Sequence, residues 1–200
     1  MTKSGLSMAS RQICTACIYD DSIPNISFDE LGVCSYCRQV ETLKQQYETG
    51  TPAGEARLMQ IIEDIKRTGK GARYDCVIGV SGGTDSSYLL MKAIEWGLRP
   101  LAVHYDNTWN SAIATENIRK VTQALNVDLH TYVLNNSDAD DIFLAFLRAG
   151  VPEFDASTDI GFVQVIRSTA AKFGVKYILE GHSFIAEGIS PMGSNYFDGK

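Results

Sequence analysis

Cysteine runs out early in this chain. Five occur, at positions 14, 17, 34, 37 and 76, and none follows Cys76. That absence leaves no downstream cysteine to carry sulfur and no evident Cys-His pair to hydrolyse glutamine. Basic charge is also short. Lys and Arg number 18 against 24 Asp and Glu, the net charge is -6 and the sequence pI about 5.0, so nothing general draws the chain to nucleic acid or to an anionic membrane. No apolar run approaches the ~18 residues of a membrane span, and the opening MTKSGLSMASRQ has no apolar signal core. A cytoplasmic protein with no membrane or nucleic-acid partner is expected. Internal repeats and low-complexity stretches are absent as well. No lysine lies between Ser81 and Met91 and no G-x-G-x-x-G occurs, which excludes a Walker A loop and a dinucleotide fingerprint.

What is present fits a globular protein with one main core and a small appendage: 200 residues, 44% hydrophobic and 21% charged. Residues 1–10 are small and polar and are expected to be a disordered tail. From Arg11 to Arg38 a C-x-x-C pair, sixteen intervening residues and a second C-x-x-C pair follow one another. In a reducing compartment this spacing reads as a four-thiolate zinc site made by Cys14, Cys17, Cys34 and Cys37. Gly32 supplies a flexible point in the second knuckle, and Pro24 with Asn25 marks a turn between the halves. The local apolar set is too thin for a core of its own. Metal would hold the segment together, structural zinc being worth roughly 10–16 kcal/mol in finger peptides. Redox or iron-sulfur use of the pairs is the rival reading. It is disfavoured because both pairs lie outside the α/β region.

Residues 41–54 are polar and end in Gly50-Thr51-Pro52, which reads as a linker. Leu58, Ile61, Ile62 and Ile65 then make one apolar stripe, so residues 55–66 are predicted as an amphipathic helix. A domain is expected from residue 74 to residue 200. Its opening, YDCVIGVSGGTDSSYLL over 74–90, is an apolar strand, a break at Ser81-Gly82-Gly83-Thr84-Asp85, and a helix-like pattern from Ser86 to Trp96. Two glycines let backbone N–H groups approach an anion. The hydroxyls of Ser81, Thr84, Ser86 and Ser87 and the start of the helix point more donors into the same space. The expected guest is a phosphate or pyrophosphate.

Further strands are predicted at residues 100–105, 128–134 and 176–180, alternating with helices that stop at Gly97, Gly150 and Gly174. Such alternation implies an α/β fold with a parallel sheet, right-handed crossovers and helices on both faces. Ligands of such sheets bind beyond the carboxyl ends of the strands. Three of those ends carry polar clusters: 81–87, 104–111 (with an exposed aromatic, Trp109) and 181–187. Cys76, inside the first strand, reads as a buried inert residue and His130 as structural. His104 stands between core and loop, and His182, directly after a strand, reads as a ligand contact.

SGGTDSS at Ser81–Ser87 resembles the PP-loop of the ATP pyrophosphatases, the group that includes GMP, NAD and asparagine synthetases and tRNA thiolases. The longer pattern of C-x-x-C, FDELGVC-x-x-C, the loop sequence, AVHYDNTWNS and LEGHSFIAEG resembles the N-acetyl sugar amidotransferases of bacterial surface-polysaccharide (lipopolysaccharide) and nonulosonic acid synthesis, over nearly everything from Arg11 onward. The resemblance implies an open parallel sheet of order 3-2-1-4-5, preceded by a small zinc-ribbon-like module. ATP would be cleaved to AMP and pyrophosphate. By position, Ser81, Gly82, Gly83, Asp85, Ser86 and Ser87 would hold the pyrophosphate, with the Thr84 hydroxyl in the same loop and Asp85 near Mg2+. The backbone of Val80 and of Val103, His104 and Tyr105 would face adenine, and Gly181 with His182 would approach the α-phosphate. Related enzymes often have Asn where Ser183 stands.

The implied reaction converts the acetamido group of a sugar or sugar nucleotide to an acetamidino group through an adenylated imidate. A separate glutaminase subunit would supply the ammonia. A PP-loop tRNA-thiolation enzyme, which often needs a catalytic cysteine or an iron-sulfur cluster near ATP, and a nucleotide-binding regulatory module without chemistry are the competing classes. Only four strands are counted where the resembled fold has five. The fifth strand and the sugar site are therefore expected in a missing C-terminal part.

Overall fold

The computed structural model describes residues 11–151, 155–189 and 191. The expected tail at 1–10 and the last nine residues lie outside them. The chain divides into two compact units, one made of residues 1–56 with 182–200 and the other of residues 57–181.

In the first unit the two cysteine pairs sit on short turns closed by isolated bridges, Ile13 with Asp20 and Phe28 with Cys34. Gly32 takes φ 75° and its carbonyl accepts from Thr15 N at 3.0 Å. A Cβ there would lie 3.0 Å from the Thr15 methyl, so the flexible point expected in the second knuckle is a left-handed glycine in close contact. Helix α1 (Ser35–Tyr47) then runs through much of the stretch read as a linker. It was invisible to periodicity because it buries no residue and so carries no apolar stripe. Its start is set by Cys34 at the N-cap, whose sulfur accepts from Cys37 N, and it ends on Glu48 in the left-handed region at φ 54°. The Tyr47 ring meets Phe184 at 6.1 Å, on a π-helical turn over Phe184–Gly188.

The second unit is α/β. Strands β1 (Cys76–Gly79), β2 (Pro100–Asp106), β3 (Leu129–Val133) and β4 (Tyr177–Leu179) form a parallel sheet of order 3-2-1-4, the order expected for the four strands counted. β1 lies between β2 and β4, with Cys76 opposite Pro100 on one side and Tyr177 on the other. Residues alternate across it. Cys76, Ile78 and Val80 join Ile62 and Ile65 of α2 (Pro52–Thr68), Leu90 and Ala93 of α3 (Thr84–Glu95) and Ile118 of α4 (Ala112–Leu125). Val77 joins Leu101, Val103, Val165 and Ile166 on the other face, the last two from α6 (Ala156–Lys172). A strand covered on both faces needs a continuous apolar run, which is what residues 76–80 supply. Burial of Cys76 is complete and lifts its thiol to about 12, in keeping with the inert role expected.

Two expectations shift in detail. α3 begins at Thr84, not Ser86, so the helix starts two residues earlier. The stripe on α2 is narrower than its periodicity suggested, for Ile62 and Ile65 are buried while Leu58 and Ile61 are exposed. β3 is an edge strand, and α5 (Asn136–Ala149) after it buries only Ala139. His130 on β3 meets the Phe173 ring edge-on at 6.0 Å. Among the described residues no helix is long and apolar enough to cross a membrane.

Candidate nucleotide and metal sites

Strand β1 delivers the chain to Ser81–Ser87, a loop seated between the starts of α3 and α4. Gly82 sits at φ 81°, and a Cβ on it would fall 2.3 Å from the Ala114 carbonyl oxygen. The loop can therefore lie on the first turn of α4 only as glycine. Asn117 Nδ2 donates to the Gly82 carbonyl at 3.1 Å and holds it there. Gly83 is the extended N-cap of α3 and offers no side chain to it, so the first N–H groups of that helix, at the positive end of its dipole, face the loop mouth. Ser81 Oγ accepts from Gly83 N and lies 3.3 Å from Ser86 Oγ, while Ser87 Oγ donates to the Gly83 carbonyl at 2.7 Å. These hydroxyls brace the loop in its present form. Asp85 stands in the first turn of α3. From the end of β4, Gly181 approaches the same turn: a Cβ on it would lie 3.4 Å from Asp85 O and 3.7 Å from Ser86 N. Loop and Gly181 thus converge on the start of one helix.

Val80 and Val103 are committed to the sheet. Val80 N donates to Val103 O at 2.8 Å, and the Val80 carbonyl accepts from His104 Nδ1 at 2.9 Å. Val103 is registered between Gly79 and His130. Beyond them Tyr105 is half-buried and stacks on Tyr132 at 6.2 Å. Burial raises its phenol. Gly161 makes room for that ring, since a Cβ would meet its hydroxyl at 2.6 Å. The turn after β2 carries Trp109, 56% exposed and 4.6 Å from the Phe143 ring. Beneath it lies a cavity of about 30 Å³ lined by Tyr105, Asn107, Trp109, Phe143 and Thr158, enough for one water. His182 belongs to the first unit, where its Nδ1 lies 3.2 Å from Glu187 Oε2 and Ser183 Oγ accepts from Ile185 N.

In the first unit the sulfurs of Cys14, Cys17, Cys34 and Cys37 all lie within 4.8 Å of one another. Cys14 to Cys37 is 4.0 Å and Cys17 to Cys34 is 3.7 Å. Zn–S bonds of ~2.3 Å in a tetrahedron demand sulfur separations of about 3.8 Å. Backbone N–H groups converge on the sulfurs: Ala16 and Cys34 on Cys14, Tyr19 on Cys17, and Cys37 on Cys34. Burial works against the Cys14 thiolate, yet the N–H groups of Cys34, Ala16 and Cys17 outweigh it and hold that thiol at about 6. Burial and the other sulfurs push Cys37 far up. Four thiols this close cannot all ionise alone, and a divalent cation is what would let them. The donor set fits zinc.

α1, the packing of Gly82 on Ala114 and the contacts of Asn110 and Asn117 carry no signal in the sequence that announces them. The asparagines fall in motif-free polar stretches, and only AVHYDNTWNS as a block drew attention to the first of them.

No known protein family's profile matches the chain. It is 28% identical over 171 residues to an uncharacterized protein of Methanocaldococcus jannaschii, which covers 84% of this chain and 58% of that one. The chain therefore spans little more than half the length of this curated relative. Similar solved structures are an NMN synthetase from Francisella tularensis (TM-score 0.44, 18% identity, 60% of this chain and 50% of that one), an NH3-dependent NAD synthetase from Campylobacter jejuni with a nitrate ion (0.45, 14%, 64% and 56%) and a glutamine-dependent NAD+ synthetase from Acinetobacter baumannii with ADP (0.47, 19%, 64% and 26%).

Proposed function

We propose that the second unit is the ATP site of a PP-loop enzyme that cleaves ATP to AMP and pyrophosphate and joins ammonia to an activated amide. The observation that carries this reading is the left-handed Gly82, seated on the Ala114 carbonyl beside the uncapped start of α3. It is a backbone turn at a helix start, with no lysine. Ser81, Gly83, Thr84, Ser86 and Ser87 supply its remaining donors. Charge developing on the departing pyrophosphate would be met by the N–H groups at the start of α3, joined by the Gly83 N–H and the Ser87 hydroxyl once these give up their bonds within the loop. Asp85 would hold Mg2+, which when bound neutralises phosphate charge.

The resemblance of the chain from Arg11 onward supports the acetamido group of a sugar or sugar nucleotide as the acceptor. Its oxygen attacks the α-phosphorus and pyrophosphate leaves. Ammonia then adds to the imidate carbon, and AMP departs with loss of a proton, leaving an acetamidino group. A glutaminase partner would deliver the ammonia. The four thiolates of the first unit would hold zinc in a structural role.

The test incubates a form of the protein extended to the length of its curated relative with MgATP, ammonium and a panel of nucleotide-linked N-acetyl sugars, UDP-N-acetylglucosamine among them. AMP and pyrophosphate should appear in equal amounts, and only with an acceptor. ADP and orthophosphate as products would sink the assignment.

A further inference from the structure

His104 is 5% exposed and both of its ring nitrogens are engaged. Nδ1 lies 2.9 Å from the Val80 carbonyl, and Nε2 lies 3.3 Å from Asn110 Nδ2. A carbonyl can only accept, so Nδ1 carries the proton. Nε2 is then a lone pair, and it accepts from the Asn110 amide. The second hydrogen on Asn110 Nδ2 goes to Asp106 Oδ1 at 2.8 Å, an oxygen that also accepts from Thr108 N at 2.8 Å. Every group in this chain of bonds has its direction dictated by the next.

What the chain holds is costly to hold. Thr108 lies at φ 68°, a conformation β-branched residues avoid. Asp106 and Asn107 enforce it from either side, Asn107 Oδ1 accepting from Trp109 N at 3.1 Å. Asn107 Nδ2 also donates to Thr158 Oγ1 at 3.0 Å, which anchors the turn to α6. Strain that is over-determined by its surroundings marks functional turns more than idle ones. The turn's effect is to stand Trp109 out at the carboxyl end of β2, the strand beside β1.

We propose that His104 is a positioning residue: as its Nδ1–H tautomer it ties the entry of the phosphate loop, through Val80, to the Asp106–Ser111 turn, through Asn110, and so registers Trp109 against the phosphate loop. Its relevance to catalysis rests on the reading of Ser81–Ser87 as an ATP site, but its geometry does not.

Two substitutions divide the two bonds. His104→Asn puts an amide nitrogen where Nδ1 stands, keeping the bond to Val80 and losing Asn110. His104→Gln reaches the Nε2 place, keeping Asn110 and losing Val80. In a Trp96→Phe background, Trp109 is the sole indole and its emission reports the turn. His104→Asn should shift that emission and raise acrylamide quenching about twofold. His104→Gln should leave emission near the parent and weaken MgATP by roughly tenfold. Asn110→Ala, outside the core, should copy the first variant and decides the matter if the buried substitutions do not fold. Imidazole 15N spectra should show the Nδ1–H form. An Nε2–H tautomer, or unchanged Trp109 emission and quenching in both His104→Asn and Asn110→Ala, overturns the proposal. Failure of the parent to bind MgATP would remove the proposed function and leave the tautomer and the Trp109 readouts to decide this one.

Discussion

Gly82 and Asp75 are the residues at which single atoms decide most. A methyl group on Gly82 would meet the Ala114 carbonyl at 2.3 Å and force a φ of 81° on an L side chain, a backbone cost of about 1–3 kcal/mol before the clash is counted. Gly82→Ala should therefore lower Tm by roughly 2–10 °C and abolish MgATP binding, both measurable by thermal shift with and without nucleotide. Unchanged nucleotide binding would show that the cradle is not where phosphate sits. Asp75 is the counterpart at the other end of the sheet. Its side chain is 3% exposed, and both oxygens are taken by Arg99, whose guanidinium is half-exposed and also donates to the Ala72 and Gly69 carbonyls.

Burial alone would raise the Asp75 carboxyl, but the hydrogen bonds and charge of Arg99 hold it below its ordinary value. A depressed folded-state pKa contributes stability that is whole above the unfolded value of ~3.9 and is lost as pH falls through the folded one. Asp75→Asn should cost about 1–3 kcal/mol at neutral pH, less than a fully buried pair because Arg99 keeps water. It should also flatten the acid limb of the stability curve between about pH 5 and 2. An acid limb as steep as the parent's would mean other carboxylates control it.

At the scale of elements, α4 is where a cap and a site meet. Ser111 Oγ accepts from Ala114 N at 3.1 Å, and the carbonyl of the same Ala114 is the surface on which Gly82 rests. Ser111→Ala should cost about 1 kcal/mol, read as a shift in denaturant midpoint at unchanged slope. The helices and strands of the second unit were legible wherever burial left a period behind. β1 and β2 appeared as apolar runs because both faces are covered, and α5 and α6 stop at or just before Gly150 and Gly174, glycines with φ of 65° and 68°. α1 was not legible, because a helix that buries nothing leaves no pattern and Cys34, its N-cap, is not a residue type that signals one. The loop Ser81–Ser87 was legible as a motif. Its reason for being glycine was not, since Ala114 lies over thirty positions away and only the fold brings it near. His104 stands between core and loop in the sequence, and the structure shows why: it is buried, yet its ring bonds to the Val80 carbonyl at a strand end and to Asn110 in a turn.

For the whole molecule, the two units differ in what holds them together. The second has apolar clusters on both faces of its sheet, whereas the first has four sulfurs, a polar helix and exposed apolar side chains at Ile13, Ile18 and Leu31. Both tryptophans, at 96 and 109, lie in the second unit. Stripping metal with a strong chelator should thus remove helical ellipticity contributed by α1 and leave tryptophan emission and its denaturation midpoint nearly as they were. Elemental analysis beforehand should find about one zinc per chain. Iron in its place, or loss of the tryptophan signal together with the helix, would contradict the picture.

The sheet order carries a consequence for how the chain is made. β1 pairs on one side with β2, about two dozen positions on, and on the other with β4, where Cys76 faces Tyr177, a separation of 177 − 76 = 101 residues. A ribosome adding ~5–20 residues each second leaves several seconds in which the most apolar strand has one ladder satisfied and the other bare. Pairings this distant are slow to close and invite association while they wait. Nascent chains stalled before Tyr177 should accordingly bind holdase chaperones far more than chains stalled beyond Gly181 with the tunnel cleared, and equal binding at the two lengths would show that the vacant side of β1 is protected during synthesis.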